Sequence, residues 1–161
     1  MKIAVAFTGP SNSGKTTVIE KIAKKMINRY KVLIVKNDPK DKARFDIEGK
    51  DSFKFFQTGA EVVVTSPTKT TYFSHRKKDI EDIIKMVDDF EIMLVEGLKT
   101  LPLPRIGVFR NSIDKSYFDY IEAAAIDKSI NKDKIPKNID ILDLNNIEEI
   151  IEWIFKNAKR I

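Results

Sequence analysis

Residues 9–16 read Gly-Pro-Ser-Asn-Ser-Gly-Lys-Thr. The spacing G-x-x-x-x-G-K-[ST] is that of a phosphate-binding loop, and each fixed position has a physical task. Gly9 and Gly14 let the backbone curl so that successive N–H groups point at one centre. A helix opening near Lys15 adds its free N–H groups and the positive end of its dipole. Lys15 reaches the terminal phosphates as a point charge, and the Thr16 hydroxyl is placed for Mg²⁺. A second chemical group is Glu96-Gly97, at the end of the apolar run Ile92 to Val95. A carboxylate at the carboxyl edge of a sheet can hold Mg²⁺ directly or through water. The Gly97 N–H is expected close to a γ-phosphate. A third group is the polar stretch 36–51, which holds Asp38, Asp41, Asp46 and Asp51 among lysines and arginines. Asp46 is the candidate for a second metal or water-positioning carboxylate, although any one of these aspartates reads equally well as a solvated loop residue.

The flanking sequence supplies the elements such a site needs. Residues 2–8 are nearly continuously apolar, as in a strand buried on both faces of a parallel sheet. From Thr16 to Arg29 the period changes: Val18, Ile19, Ile22, Ala23, Met26 and Ile27 form adjacent i,i+4 ridges, while Glu20, Lys21, Lys24 and Lys25 face outward. Residues 31–35 predict a second buried strand. A short helix over 51–57 closes at Gly59, with Phe53, Phe55 and Phe56 expected to fill core, or else to flank a flat heterocycle. Residues 61–65 and 70–73 are expected as strands around the hydroxyl-rich stretch 65–71, which reads as a hairpin turn or, less simply, as the lining of an anion site. Ile80, Ile83, Ile84 and Val87 mark a helix. Strands follow at 92–95, 105–109, 121–126 and 139–142. A final helix carries Ile147, Ile150, Ile151 and Ile154 on one face, with Asn145 and Glu148 as its N-cap pair. Alternating strands and helices imply an α/β sheet with right-handed crossovers, and the middle hairpin adds an antiparallel edge.

Composition narrows the chemistry. The 161 residues fit one ordinary domain, 1–161, with a core that needs no staples. There is no cysteine, so disulfides, thiolate nucleophiles and thiolate-bound metals are excluded. A single histidine, His75, leaves Ser-His-Asp chemistry almost nothing to work with and reads as a surface residue. The net charge of +5 is spread among acids, which argues against nucleic acid as a partner. No apolar run approaches the ~20 residues of a membrane span, and the start is too short for a signal peptide. A cytoplasmic protein is expected.

The base is not readable from a standard guanine signature. Asn131-Lys132-Asp133-Lys134 lacks the aspartate two places after the lysine. Arg110-Asn111 and Asp127 follow strands and could reach a base; Asp127 could accept from the ring N–H and amino group of guanine.

Taken together, Gly9 to Thr17, Gly49 to Ser52 preceded by Asp46, Thr58 to Ala60, Leu94 to Lys99 and Pro104 to Arg110 occur in an order and spacing that resemble the molybdopterin-guanine dinucleotide biosynthesis protein B family. Residues 141–153 are also similar to that family's C-terminal part. The resemblance implies a P-loop NTPase-like, three-layer α/β fold with a mostly parallel sheet, and a homodimer built through extended sheet. It implies GTP and Mg²⁺ as ligands and slow hydrolysis. The partner it implies is the molybdopterin guanylyltransferase (protein A of the pathway), with molybdopterin itself as a further candidate. By motif match Gly9, Pro10, Ser11, Asn12, Ser13, Gly14, Lys15, Thr16 and Thr17 would hold phosphates, while Thr16, Asp46 and Glu96 would serve the metal. The chain departs from the family in having Asn37-Asp38-Pro39 where histidines are frequent, and Leu98 where phenylalanine is common.

The expected function is therefore a Mg²⁺-dependent GTP-binding adapter with weak GTPase activity. Lys15 and Asp46 are the candidate catalytic residues, with no convincing general base. Two rivals share the phosphate site. One is an ATP-dependent small-molecule kinase with Arg76, Arg105 or Arg110 on its lid. The other is a non-enzymatic nucleotide or pterin carrier.

Overall fold

A computed structural model describes all residues, 1–161. The chain divides into two compact units: residues 1–37 with 89–161, and residues 38–88.

The first unit is built on a sheet with strand order β2-β5-β1-β6-β7-β8. Its strands are β1 (Ile3–Thr8), β2 (Val32–Lys36), β5 (Ile92–Glu96), β6 (Arg105–Phe109), β7 (Ala123–Ile126) and β8 (Asp140–Asp143). All pairings along this path are parallel. A short final strand, β9 (Lys159–Arg160), runs antiparallel to β1 at Ile3 and Ala4. It lies beside the half of β1 that β6 does not reach, since β6 pairs with β1 only from Ala6 to Thr8. The mostly parallel α/β sheet expected from the alternating pattern is thus present. The hairpin of β3 (Val62–Thr65) and β4 (Thr70–Phe73) forms a two-stranded antiparallel sheet of its own.

One face of the main sheet is covered by α1 (Lys15–Met26) and α4 (Ile147–Asn157). Val18, Ile19, Ile22 and Met26 of α1, with Ile147, Ile150, Trp153 and Ile154 of α4, pack on Val5, Phe7, Leu94, Ile106 and Val108. The two helices are tied to each other by the Lys25–Glu148 ion pair. Trp153 donates its indole N–H to Asp140 Oδ2 at 2.8 Å, so its ring packs while its polar edge is satisfied. On the opposite face, over β6 and β7, no long helix is used. Phe109, Ile121, Ala124, Ile126, Ile130, Ile135 and Ile139 form a second cluster closed by Tyr117 and Phe118. Strand β7 is unusual in its small side chains: Ala123, Ala124 and Ala125 are all fully buried.

Several local expectations need correction. Ile27 is exposed, because the helix ends at Met26 and the second ridge runs past the sheet. Strand β2 is an edge strand with only Val35 buried, so the apolar run 31–35 did not signal burial on both faces. The last helix is capped one residue later than expected: Asn146 accepts from the Glu149 N–H at 3.3 Å, while the Asn145 N–H is bound to Asp143 Oδ1 at 2.8 Å.

The second unit holds α2 (Asp51–Gln57), the β3–β4 hairpin and α3 (Ile80–Met86). Asp79 caps α3 by accepting from the Asp82 N–H at 2.9 Å. No residue of α2 is buried, and Phe55 is 60% exposed, so the three phenylalanines do not fill a core as expected. Phe56 instead stacks on His75 at 3.7 Å between ring centroids, and the His75 Nε2 lies 2.8 Å from the Phe56 carbonyl. The hydroxyl-rich stretch 65–71 is a hairpin turn, closed by the Ser66 N–H donating to the Lys69 carbonyl at 2.9 Å.

Candidate functional site

The chain leaves β1 at Thr8, turns through residues 9–14 and enters α1 at Lys15. Gly9 has φ +141°, and a Cβ there would stand 2.4 Å from the Val108 carbonyl oxygen of β6. The loop therefore lies against the sheet edge more closely than any side chain permits. Gly14, at φ +97°, is the N-cap of α1 and supplies no capping side chain. The first intrahelical bond is the Val18 N–H to the Gly14 carbonyl, at 3.0 Å. The N–H groups of Lys15, Thr16 and Thr17 thus have no intrahelical acceptor, as at every helix start. They open onto a cleft of about 330 Å³ lined by Asn12, Gly14, Lys15, Thr16, Thr17 and Arg110. The first helical turn contains no acidic residue of its own, and the carboxylate that meets its positive dipole end is Glu96 of β5.

The Lys15 ammonium is bound by the Gly9 and Pro10 carbonyls at 3.0 and 2.6 Å. Partial burial lowers its pKa, Glu96 opposes that shift, and Lys36 adds to it. Ser13 Oγ is buried and has no hydrogen-bond partner. Glu96, at the end of β5, lies next to β1 through the Phe7–Glu96 register. One of its oxygens takes Lys36 Nζ at 2.9 Å, and the other accepts from the Thr16 hydroxyl at 3.4 Å. Sequence positions 80 apart are thereby joined at one point, as the strand-end argument anticipated.

The donor set fits a small hard cation. Two oxygens bound side by side in an octahedron at 2.0–2.1 Å from Mg²⁺ are about 3 Å apart. The hydroxyl–carboxylate distance of 3.4 Å is close to that spacing. No group of three or more His, Cys, Asp or Glu side chains could hold an ion alone, so water and phosphate oxygens would complete the shell.

Other expected residues are placed differently. The Gly97 N–H donates to the Phe7 carbonyl at 2.9 Å, because the β5–β1 pairing continues one residue past Glu96; that amide is taken up by the sheet and does not point at a phosphate. Asp46 belongs to the second unit. Its Oδ1 accepts from the Ile47 N–H and the Ser52 hydroxyl, both at 2.9 Å, while Oδ2 is buried without a partner. Asp38 is used locally, accepting the N–H groups of Lys40, Lys42 and Ala43.

Sequence reasoning missed the role of Arg105. It is 1% exposed and donates to the carbonyls of Gly97, Leu98 and Leu101 at 2.7, 2.9 and 3.2 Å. Burial lowers its pKa, and the charge of Glu122 opposes that. The guanidinium therefore fixes the chain that leaves Glu96, and Arg105 is not a mobile lid residue. Arg76 is bound to Glu61 in the second unit. A larger cavity of about 560 Å³ lies between residues 99–105 and 119–122. It borders the amino ends of β6 and β7 and contains none of the phosphate-loop residues.

A strand, a glycine-bounded loop and a bare helix N-terminus that carries a hydroxyl, with a carboxylate from the neighbouring strand, define the P-loop NTPase-like class of α/β fold. Within that class, the chain belongs to the molybdopterin guanine dinucleotide synthesis protein B family, whose model matches residues 4–127. It is 28% identical over 159 residues to a molybdopterin-guanine dinucleotide biosynthesis adapter protein of Haemophilus influenzae, covering 93% of this chain and 86% of that one. It is 29% identical to a putative adapter protein of the same description from Methanocaldococcus jannaschii, covering 96% of this chain but 61% of that relative's length. The crystal structure of Bacillus subtilis MobB shares the fold, with a TM-score of 0.78, 20% identity and 98% of each chain covered.

Proposed function

We propose that this protein binds GTP with Mg²⁺ at the loop 9–17, hydrolyses it slowly, and acts as an adapter in molybdopterin guanine dinucleotide biosynthesis. Family membership supports the pathway. The observation that carries the nucleotide reading is the meeting of Thr16 and Glu96 beside the N-terminus of α1, 3.4 Å apart at the mouth of the loop. The free N–H groups of Lys15, Thr16 and Thr17 would hold the phosphates, and the Lys15 ammonium would move from the Gly9 and Pro10 carbonyls to the terminal phosphate oxygens. Thr16 and Glu96 would hold Mg²⁺, which supplies neutralisation of charge on the β- and γ-phosphates. A water beside the bound γ-phosphate would be the nucleophile. In hydrolysis the oxygen of that water bonds to the γ-phosphorus, the bond from the γ-phosphorus to the β-phosphate oxygen breaks, and both protons of the water leave with the inorganic phosphate. None of the groups around Lys15 and Thr16 is an evident general base, which fits slow turnover.

The adapter reading includes docking to the guanylyltransferase of the pathway and formation of a homodimer. The exposed Phe45, Ile47, Phe55 and Val63 of the second unit support a partner-covered surface.

A thermal-shift panel of GTP, GDP, ATP and a pterin, each with and without Mg²⁺, tests the nucleotide reading. At 100 times its dissociation constant a ligand adds about 2.7 kcal/mol, or roughly 5–10 °C for a chain of this size. GTP with Mg²⁺ should give the largest shift, and Lys15→Ala should abolish it. An equal or larger shift with ATP would favour the kinase reading.

A further inference from the structure

The carboxyl ends of β6 and β7 carry a polar cluster that the phosphate loop does not use. Phe109 and Ile126 are register partners, so the residues that follow them, Arg110 and Asp127, leave the sheet side by side. Arg110 Nε lies 3.1 Å from Asp127 Oδ2. The other oxygen, Oδ1, accepts from the Ser129 N–H at 3.0 Å and from the Ser129 hydroxyl. The Asn111 N–H in turn donates to Ser129 Oγ at 2.7 Å, which locks the two strand-end turns together. The Asp127 side chain is only 18% exposed. Arg110 also lines the cleft above Thr16 and Thr17, and its Cζ is 4.0 Å from where a Cβ on Gly14 would stand. The pair thus bridges the phosphate loop and the next strand out, along the sheet edge where a nucleoside attached to loop-bound phosphates must lie.

We infer that Arg110 and Asp127 together read the purine base and select guanine over adenine. The inference rests on the triphosphate binding proposed above. An ionised carboxylate only accepts hydrogen bonds and a guanidinium only donates them. Guanine offers matching polarity: N1–H and the 2-amino group are donors for Asp127, while O6 and N7 are acceptors for Arg110. Adenine reverses it. Its N1 lone pair faces the carboxylate, and its 6-amino group faces the guanidinium. Before a base arrives the ion pair satisfies both side chains, and a carboxylate has about four lone-pair sites, so Ser129 holds Asp127 in place without exhausting it. A bare surface ion pair would need neither the Ser129 anchor nor the position beside Gly14.

Titration of the full chain with GTP, ATP and XTP in the presence of Mg²⁺ tests this. The native chain should bind GTP more tightly than ATP. Asp127→Asn should weaken GTP by about ten- to a hundredfold, leave ATP unchanged, and strengthen XTP, because xanthine carries a carbonyl where guanine has its 2-amino group. A gain for XTP is something a damaged fold would not produce. Arg110→Met should lower the GTP:ATP preference as well, which keeps the test available if Asp127→Asn does not fold. Equal GTP and ATP binding by the native chain, or unchanged GTP:ATP:XTP ratios in both variants, would overturn this inference alone. Failure of the native chain to bind any triphosphate would overturn the site itself.

Discussion

The closest backbone approach at the phosphate loop can be tested by paired alanine substitutions at Gly9 and Gly14. Both residues have positive φ, +141° and +97°, so alanine at either carries backbone strain of about 1–2 kcal/mol. They differ in what the new methyl group meets. At Gly14 the nearest atoms are Arg110 Cζ and a terminal guanidinium nitrogen at 4.0 Å, which is ordinary contact. At Gly9 the methyl would lie 2.4 Å from the Val108 carbonyl oxygen and 3.2 Å from Ser13 Oγ. Val108 pairs with Ala125 inside the parallel ladder, so its carbonyl cannot withdraw without disturbing β6 and β7. Overpacking of this kind costs about 1–3 kcal/mol beyond the strain. Gly9→Ala should therefore destabilise the first unit by about 2 kcal/mol more than Gly14→Ala, or roughly 4–8 °C in Tm. The single tryptophan, Trp153, packs inside that unit, so urea unfolding followed by its fluorescence reads the quantity directly. Equal losses for the two variants would show that the loop can lift off β6, and the reasoning from close approach would fail.

Arg105→Met should cost about 3 kcal/mol, since the carbonyls of Gly97, Leu98 and Leu101 lose a charged donor in a buried setting. Amide exchange in residues 98–101 should quicken at the same time, and a loss below about 1 kcal/mol in urea unfolding would refute the stapling role. Stability should also fall in acid. Glu61 is held below its ordinary value of 4.5 by Arg76, Glu148 by Lys25, and Asp127 below 3.8 by Ser129. A depressed carboxylate contributes fully above its unfolded value and loses that contribution as pH drops through its folded one. Tm should accordingly hold level from pH 7 to about 5 and decline below 4.5, and a flat profile down to pH 3 would contradict these assignments.

The phosphate loop was legible because its signal is doubly local: fixed residue types at fixed spacing, between a strand period and a helix period. Glu96 was legible for a related reason, since an apolar run ending in a carboxylate implies a strand end. What escaped detection depends on neighbours distant in sequence. Lys159 and Arg160 have no apolar pattern, and their pairing with Ile3 and Ala4 follows from the space left beside β1. Arg105 gave no sign of burial, because a strand-initial arginine ordinarily points its charge outward; three main-chain oxygens of one loop make its interior position tenable. The run 31–35 and the phenylalanines of 53–56 were apolar enough to suggest interior positions. Yet hydrophobicity alone does not tell an edge strand or an exposed helix from a core. Gly97 shows the limit at the finest scale, because one extra rung of pairing with Phe7 redirects an amide that spacing alone would aim at a phosphate.

The three consecutive alanines of β7 make the sheet thin along one strand, with larger residues leaning in from above and below. Thickening that seam by even a methylene or two would lever the strand outward, and the displacement would be felt most at its free tip, where Asp127 emerges. Variation among relatives should therefore be restricted here to the smallest side chains, so that a glycine is accepted where a valine is refused.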